Sequence, residues 1–248
     1  MNAETLSRAA EILATSRKAV ALTGAGVSTE SGIPDFRSSN GLWSRFDPME
    51  YGTLGAFSRQ PDKVWKMLGE LLRIVDAEPN AGHRAMASIE EAGILKGIIT
   101  QNIDGLHQKA GSRNVVEFHG SLATFTCLSC HDRTPLAIVL ENEIPPSCPK
   151  CRVLLKPDIV FFDEQIPPAA LAGARQLIAD ADVMLVAGTS CQVMPAATLP
   201  GLILANGGII IEINLQPALA DIAAAVLTGS FAETMSALTA IIRNDFRG

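Results

Sequence analysis

The segment Gln101-Asn102-Ile103-Asp104 puts two amides and a carboxylate directly behind a short apolar run, Gly97-Ile98-Ile99. Such groups are costly to bury without partners, so a buried strand that ends in them raises the question of what pairs with them. A carboxylate there suits an amide donor or a developing cation. Farther on, His119 precedes Gly120 at the end of another apolar run, Val115-Val116-Glu117-Phe118. An imidazole in that place suits proton removal near neutral pH. The remaining histidines read as packing or orienting residues: His83 lies in a helical pattern, His107 follows Asp104 by three positions, and His131 adjoins Cys130.

Four of the five cysteines form two close pairs, Cys127-Leu-Ser-Cys130 and Cys148-Pro-Lys-Cys151, with 17 residues between them. In a reducing compartment, Cys-x2-Cys knuckles at this spacing read as one tetrahedral zinc site with four thiolate ligands. A pair of redox dithiols is the alternative. Catalytic zinc keeps a position open for water, whereas four thiolates close the site. The metal is therefore expected to hold a small module together and do no chemistry.

These residues need elements to position them. Ala19-Val20-Ala21-Leu22, Val183-Met184-Leu185-Val186 and Ile209-Ile210-Ile211 join the two runs above as short, continuously apolar segments. Continuous rather than alternating apolarity suits strands buried on both faces of a parallel sheet. Helical patterns lie between them. Residues 62–76 carry Val64, Met67, Leu68, Leu71, Leu72 and Val75 at helical spacing behind Pro61, and residues 80–92 begin at Asn80 and stop before Gly93. Near the N-terminus, Leu6, Ala9, Ala10 and Leu13 share one face of an amphipathic helix. This alternation predicts a doubly wound α/β domain assembled from residues 1–37, 81–120 and 157–248. Residues 121–156 break the rhythm and are expected as an inserted zinc module. Residues 38–80, opened by Ser38-Ser39-Asn40-Gly41, are expected as a helical insertion.

Each apolar run ends in glycine or in polar groups: Thr23-Gly24-Ala25-Gly26, Gln101 to Asp104, His119-Gly120, Gly188-Thr189-Ser190, and Glu212-Ile213-Asn214. Ligands of open α/β sheets sit in the crevice beyond the carboxyl ends of the strands. One polar loop would be ordinary loop chemistry; the full set points to a nucleotide-sized site. The turn from Gly24 to Gly32 resembles a phosphate cradle, with backbone donors from the helix that follows. It is not a dehydrogenase fingerprint, because five residues rather than two precede the third glycine. Its continuation, Ile33-Pro34-Asp35-Phe36-Arg37, brings an aromatic and a cation close to that cradle, although singly Phe36 reads as core and Arg37 as surface.

The 248 residues, 48% hydrophobic, are ample for a large domain carrying a smaller one. A formal net charge of −6 and the lack of any basic run argue against direct nucleic-acid binding. No apolar segment reaches membrane-spanning length, and a soluble cytoplasmic protein is the default expectation.

Together these residues resemble the sirtuins, the NAD-dependent protein deacylases. GAGVSTESGIPDFRS is similar to the family's first signature, TQNIDGLH to its second, and Phe118-His119-Gly120 to its catalytic histidine segment. The two cysteine knuckles, Ile159-Val160-Phe161-Phe162, Gly188-Thr189-Ser190 and Ile213-Asn214 follow in the family's order, so the resemblance spans roughly residues 5–243. It implies a Rossmann-like domain, a zinc-ribbon domain with one structural zinc, and NAD consumed as a co-substrate in the cleft between them. The acyl-lysine oxygen attacks C1′ of the nicotinamide ribose, and a general base then helps the 2′-hydroxyl attack the imidate. Free lysine, nicotinamide and O-acyl-ADP-ribose result.

By this resemblance the catalytic residues are His119, Asn102 and Asp104. Asp104 accepts from the carboxamide, Ile103 lines that pocket, and Gln101 faces the ribose. Gly24, Ala25, Gly26 and Arg37 take the phosphates, Phe36 covers the reaction centre, Ser190 binds phosphate, and Asn214 binds the adenosine ribose. Thr29, Asp35, Gly188, Thr189 and Leu215 complete the NAD contacts. Acyl-lysine proteins or peptides lie as an added strand between Ile159–Glu164 and Cys191–Pro195, near Val160, Phe162, Glu164 and Val193. Three departures stand out: Asp163 replaces the glycine of the usual Phe-Gly-Glu, Cys191 replaces a second serine, and Leu68 and Leu71 follow Trp65 where acid-specific relatives carry tyrosine and arginine. With no cation to pair an acidic acyl group, a neutral chain such as acetyl is expected. Protein ADP-ribosyl transfer and non-catalytic NAD or acyl-lysine binding are the rival readings.

Overall fold

The computed structural model describes residues 2–39 and 41–245; Met1, Asn40 and residues 246–248 lie outside them. The strands in chain order are β1 (Ala19–Thr23), β2 (Leu95–Thr100), β3 (Val115–Glu117), β4 (Gly120–Cys127), β5 (Arg133–Pro135), β6 (Leu155–Ile159), β7 (Val183–Ala187), β8 (Ile209–Asn214) and β9 (Ala225–Thr228). Six of them form one sheet in the order β3-β2-β1-β7-β8-β9, with every adjacent pair parallel. The remaining three form an antiparallel sheet in the order β5-β4-β6.

The parallel sheet is buried on both faces, as the continuous apolar runs require. Ala19 and Ala21 of β1 face a core shared with Ala9, Ala10 and Leu13 of the helix Ala3–Thr15 and with Met235 and Leu238 of the helix Phe231–Asp245. Val20 and Leu22 face the opposite core, with Leu177 and Ile178 of the helix Pro168–Ile178. The edge strand β9, Ala225-Val226-Leu227-Thr228, is absent from the apolar runs singled out in the sequence.

The expected helical insertion and the cysteine-bearing segment meet in one core. The helix over 62–76 runs from Pro61 to Leu72 and then tightens into a 3-10 turn, Arg73–Asp76. Its apolar face has no place on the parallel sheet and buries Val64, Met67, Leu68 and Leu71 against Leu122, Phe125 and Leu155. Trp65 stacks on Phe125 with centroids 6.1 Å apart and planes 19° from parallel, and its Nε1 donates to the Leu155 carbonyl at 3.1 Å. Strand pairing also carries past the boundaries expected at 120 and 157: β4 begins at Gly120, opposite Ile159 at the far end of β6. Gly120 has φ +73°, and a Cβ there would lie 2.1 Å from the Asp158 carbonyl oxygen. Only glycine lets the chain turn from β3 past β6 at this point.

Candidate active site

The order of the parallel sheet reverses between β1 and β7, the place where such sheets open a crevice at their carboxyl ends. The loops after these strands are bonded together: Gly24 N donates to Ala187 O at 3.1 Å, and Gly26 N donates to Gly188 O at 2.9 Å. A Cβ on Gly24 would sit 2.8 Å from Thr189 Cβ, and one on Gly26 would sit 2.8 Å from Gly188 Cα. The glycine pair is thus required first by loop-to-loop contact, a reason the sequence pattern alone does not give. Beyond it, Gly26, Thr29, Gly188, Asn214 and Leu215 line a crevice. Ser230 and Phe231, which follow the end of β9 at the start of the last helix, line it as well and are absent from the sequence expectations because β9 itself is.

The second cluster lies past β2 and β3. Ser28 Oγ donates to Asp104 Oδ2 at 2.7 Å and accepts from Asn102 Nδ2 at 3.1 Å, while Leu106 N donates to Asp104 Oδ1 at 3.0 Å. Burial raises the Asp104 carboxyl above the ordinary aspartate range, against the pull of the Leu106 and Ser28 bonds. Ser28 is a functional candidate the sequence reading passed over; its only signal is its place inside the glycine turn. Gln101 joins the two clusters, its Nε2 donating to Thr189 Oγ1 at 3.0 Å. Asn214 Nδ2 donates to Thr189 O at 2.9 Å.

His119 follows β3, where the Phe118 N to Thr100 O bond of 2.8 Å extends the strand register. Its Nδ1 lies 3.2 Å from the Gln101 carbonyl. A carbonyl can only accept, so Nδ1 carries the proton and Nε2 keeps its lone pair. Burial holds the imidazole below its ordinary value, partly opposed by that carbonyl. This is the tautomer and the charge state a general base needs. Behind the site, His107 Nε2 lies 3.0 Å from Thr23 Oγ1, which bonds Thr100 Oγ1 at 2.9 Å, and Thr100 Oγ1 accepts from Asn102 N at 3.1 Å. His107 and His83 pack edge to face with centroids 4.9 Å apart. Burial pushes them down to about 3 and about 4 respectively, so both are neutral.

The loop after the glycine turn is half-open. Arg37 is exposed and donates to the Gln192 side chain, which ties this loop to the Ser190–Pro195 segment. Asp35 Oδ1 accepts from Ser38 N at 2.9 Å, and the Phe36 ring packs on Trp43 at 5.5 Å. Trp43 in turn meets the Phe162 ring at 5.9 Å. Val160 N donates to His119 O at 2.8 Å, and Phe162 is bonded through N to Gly52 O at 2.8 Å and through O to Leu54 N at 3.0 Å. Asp163 has φ +66°, a left-handed conformation that aspartate tolerates and glycine would adopt without strain. Ser190 is exposed and Val193 half-buried. Burial, with the Glu212 carboxylate nearby, pushes the Cys191 thiol up to about 11, so it is a packing residue and not a nucleophile.

The sulfur atoms of Cys127, Cys130, Cys148 and Cys151 all lie within 4.8 Å of one another, and those of Cys130 and Cys148 are 3.7 Å apart. Tetrahedral zinc with bonds of about 2.3 Å puts neighbouring sulfurs about 3.8 Å apart, so these residues fit the metal.

The chain is similar to known proteins in sequence and in fold. The sequence profile of the Sir2 family matches residues 24–195. The chain is 45% identical over 233 residues to NAD-dependent protein deacylase 1 of Archaeoglobus fulgidus, covering 93% of this chain and 95% of that one. A solved Sir2 homologue in complex with NAD superposes with a TM-score of 0.89 at 44% identity, covering 96% of this chain and 94% of the other. A Sir2 structure with a deacetylated p53 peptide and 3′-O-acetyl ADP-ribose superposes with a TM-score of 0.90 at 35% identity, covering 95% and 97%. The chain belongs to the Sir2 family.

Proposed function

We propose that this protein is an NAD-dependent protein lysine deacylase that transfers a neutral acyl group from lysine to ADP-ribose with release of nicotinamide. The observation that carries the proposal is two groups held by one short segment: the carboxylate of Asp104, with acceptor capacity to spare, and the imidazole of His119, whose Nδ1 lies 3.2 Å from the carbonyl of Gln101, three residues before Asp104. A carboxylate offers about four acceptor positions, and Ser28 and Leu106 occupy two of those on Asp104. The others suit the NH2 of a nicotinamide carboxamide. The crevice lined by Thr29, Asn214 and Leu215 suits the adenosine half, so the residues present fit NAD.

When bound, NAD supplies an electrophilic C1′ with nicotinamide as leaving group. The chain's own residues do the rest. Asn102 and Asp104, held by Ser28, orient the carboxamide, and Ile103 closes one side of that pocket. Gly24, Ala25, Gly26, Arg37 and Ser190 face the phosphates. His119 Nε2 takes the proton of a ribose hydroxyl, while its Nδ1–H on the Gln101 carbonyl fixes the ring. Phe36 and Trp43 shield the reacting atoms from water. The acyl-lysine segment of a protein lies beside Val160, Phe162 and Glu164 and opposite Val193. Leu68 and Leu71 are both buried in the apolar core that Phe36, Trp43 and Ile103 border. Neither leucine offers a cation to an acidic acyl chain, which supports a neutral one. The four cysteines hold zinc as a structural ion. No helix among the described residues is long and apolar enough to cross a membrane.

The test is a mass-spectrometric product assay with an acetyl-lysine peptide, with and without NAD. Deacetylated peptide and O-acetyl-ADP-ribose formed only when NAD is present support the reading. ADP-ribosylated peptide or protein with no deacetylation would replace it by protein ADP-ribosyl transfer.

A further inference from the structure

We propose that Lys156 is a positioning residue for the acyl-lysine substrate, holding the segment after β6 in the shape that receives the peptide. The proposal rests on the deacylase reading, because that reading makes this segment a substrate edge.

Lys156 is only 5% exposed, which is unusual for an ammonium group. Its three donors meet Ile159 O at 2.8 Å, Glu164 Oε2 at 3.0 Å and Pro157 O at 3.2 Å. The same nitrogen lies 4.8 Å from the centroid of the Phe161 ring. Glu164 Oε2 also accepts from Phe161 N at 2.9 Å. Every one of these partners belongs to residues 157–164, so one buried charge closes a single short loop upon itself. A well-packed aliphatic side chain would fill this place on β6 at lower desolvation cost, so the ammonium is better explained by the backbone shape it fixes.

That shape matters because the loop bridges two parts of the site. Val160 N is bonded to His119 O, while Phe162 is bonded through N and O to Gly52 and Leu54. Between the anchors, Asp163 holds its left-handed φ of +66°. Lys156 and Glu164 clamp the start and end of this run. With the clamp open, Ile159 O and the Glu164 carboxylate lose their shared partner, and the segment has no fixed edge to offer a strand. The contacts of Lys156 include no part of the Gly24–Gly26 turn or of Asn102–Asp104. Its effect should therefore fall on the peptide and spare NAD.

The experiment compares wild type, Lys156→Met, Lys156→Arg and Lys156→Gln by steady-state kinetics with an acetyl-lysine peptide, and by calorimetry with NAD. Lys156→Met should raise the peptide KM by about tenfold or more, with NAD affinity within about twofold of wild type. Lys156→Arg keeps the charge and should recover part of that loss. A folded Lys156→Met protein with unchanged peptide KM overturns the proposal, as does an Arg variant no better than Met. If circular dichroism shows Lys156→Met unfolded, the Lys156→Gln variant decides, because it removes the charge at a residue with no peptide contact of its own: a higher peptide KM supports the clamp and an unchanged one overturns it. A wild type that turns over no acyl peptide defeats the deacylase reading and this proposal with it. Turnover with a flat peptide KM across the variants defeats this proposal alone.

Discussion

Replacing Ser28 by alanine isolates the network that orients the nicotinamide end. Ser28 Oγ is bonded to Asp104 Oδ2 at 2.7 Å and to Asn102 Nδ2 at 3.1 Å, and Ser28 is 1% exposed, so water cannot readily substitute. A hydrogen bond to a charged group contributes about 1.5–3 kcal/mol. If the orientation of Asp104 and Asn102 is what the reaction uses, kcat/KM should fall roughly 10- to 150-fold. A second signature follows from the same bond. It holds the Asp104 carboxyl down against burial, so its loss should move the acid limb of the pH–rate profile to higher pH. In the wild type, burial raises Asp104 and lowers His119 from their ordinary values. The assay is nicotinamide release against pH at saturating peptide, with the melting temperature as control. A Ser28→Ala enzyme within about twofold of wild type, with its acid limb unmoved, would refute the network's role.

His119→Ala should lose most turnover while binding NAD as before, measured by single-turnover kinetics and calorimetry; near-normal turnover would remove His119 as the base. The buried His83 and His107 titrate at about 4 and about 3 in the fold against 6.5 in the unfolded chain, so their contribution is complete above 6.5 and is lost as pH falls. Near pH 5 each should cost about 2 kcal/mol, trimmed by Asp104, whose raised value acts in the opposite sense. Urea unfolding at neutral pH and near pH 5 checks this; equal midpoints would contradict it. Replacing Cys127 and Cys130 by serine should release zinc, measured by elemental analysis, and lower the melting temperature. A wild-type protein that is metal-free and fully stable would end the structural-zinc account. Trp65→Ala should cost about 3–5 kcal/mol by opening the core where the helix Pro61–Leu72 meets β4, and an unchanged urea midpoint would argue against that packing.

The parallel sheet was legible because strands covered on both faces leave uninterrupted runs such as Val183-Met184-Leu185-Val186, and the cysteine site because ligand spacing is local. What escaped the sequence depends on long-range pairing. Trp65 and Phe125 meet across 59 intervening residues, so two stretches that read as separate insertions share one core. Ser28 has meaning only beside Asp104, and the role of Lys156 depends on the loop that folds back over it. Gly26 illustrates a different gap: its pattern suggests a ligand, while its nearest constraint is the backbone of Gly188.

The most direct test of the central claim is stoichiometry. Purified protein, an acetyl-lysine peptide and NAD are mixed, and nicotinamide, O-acetyl-ADP-ribose and free-lysine peptide are quantified at successive times. The account predicts all three in equal amounts, none of them without NAD. Nicotinamide released in excess of free lysine, or lysine freed without NAD, would contradict it.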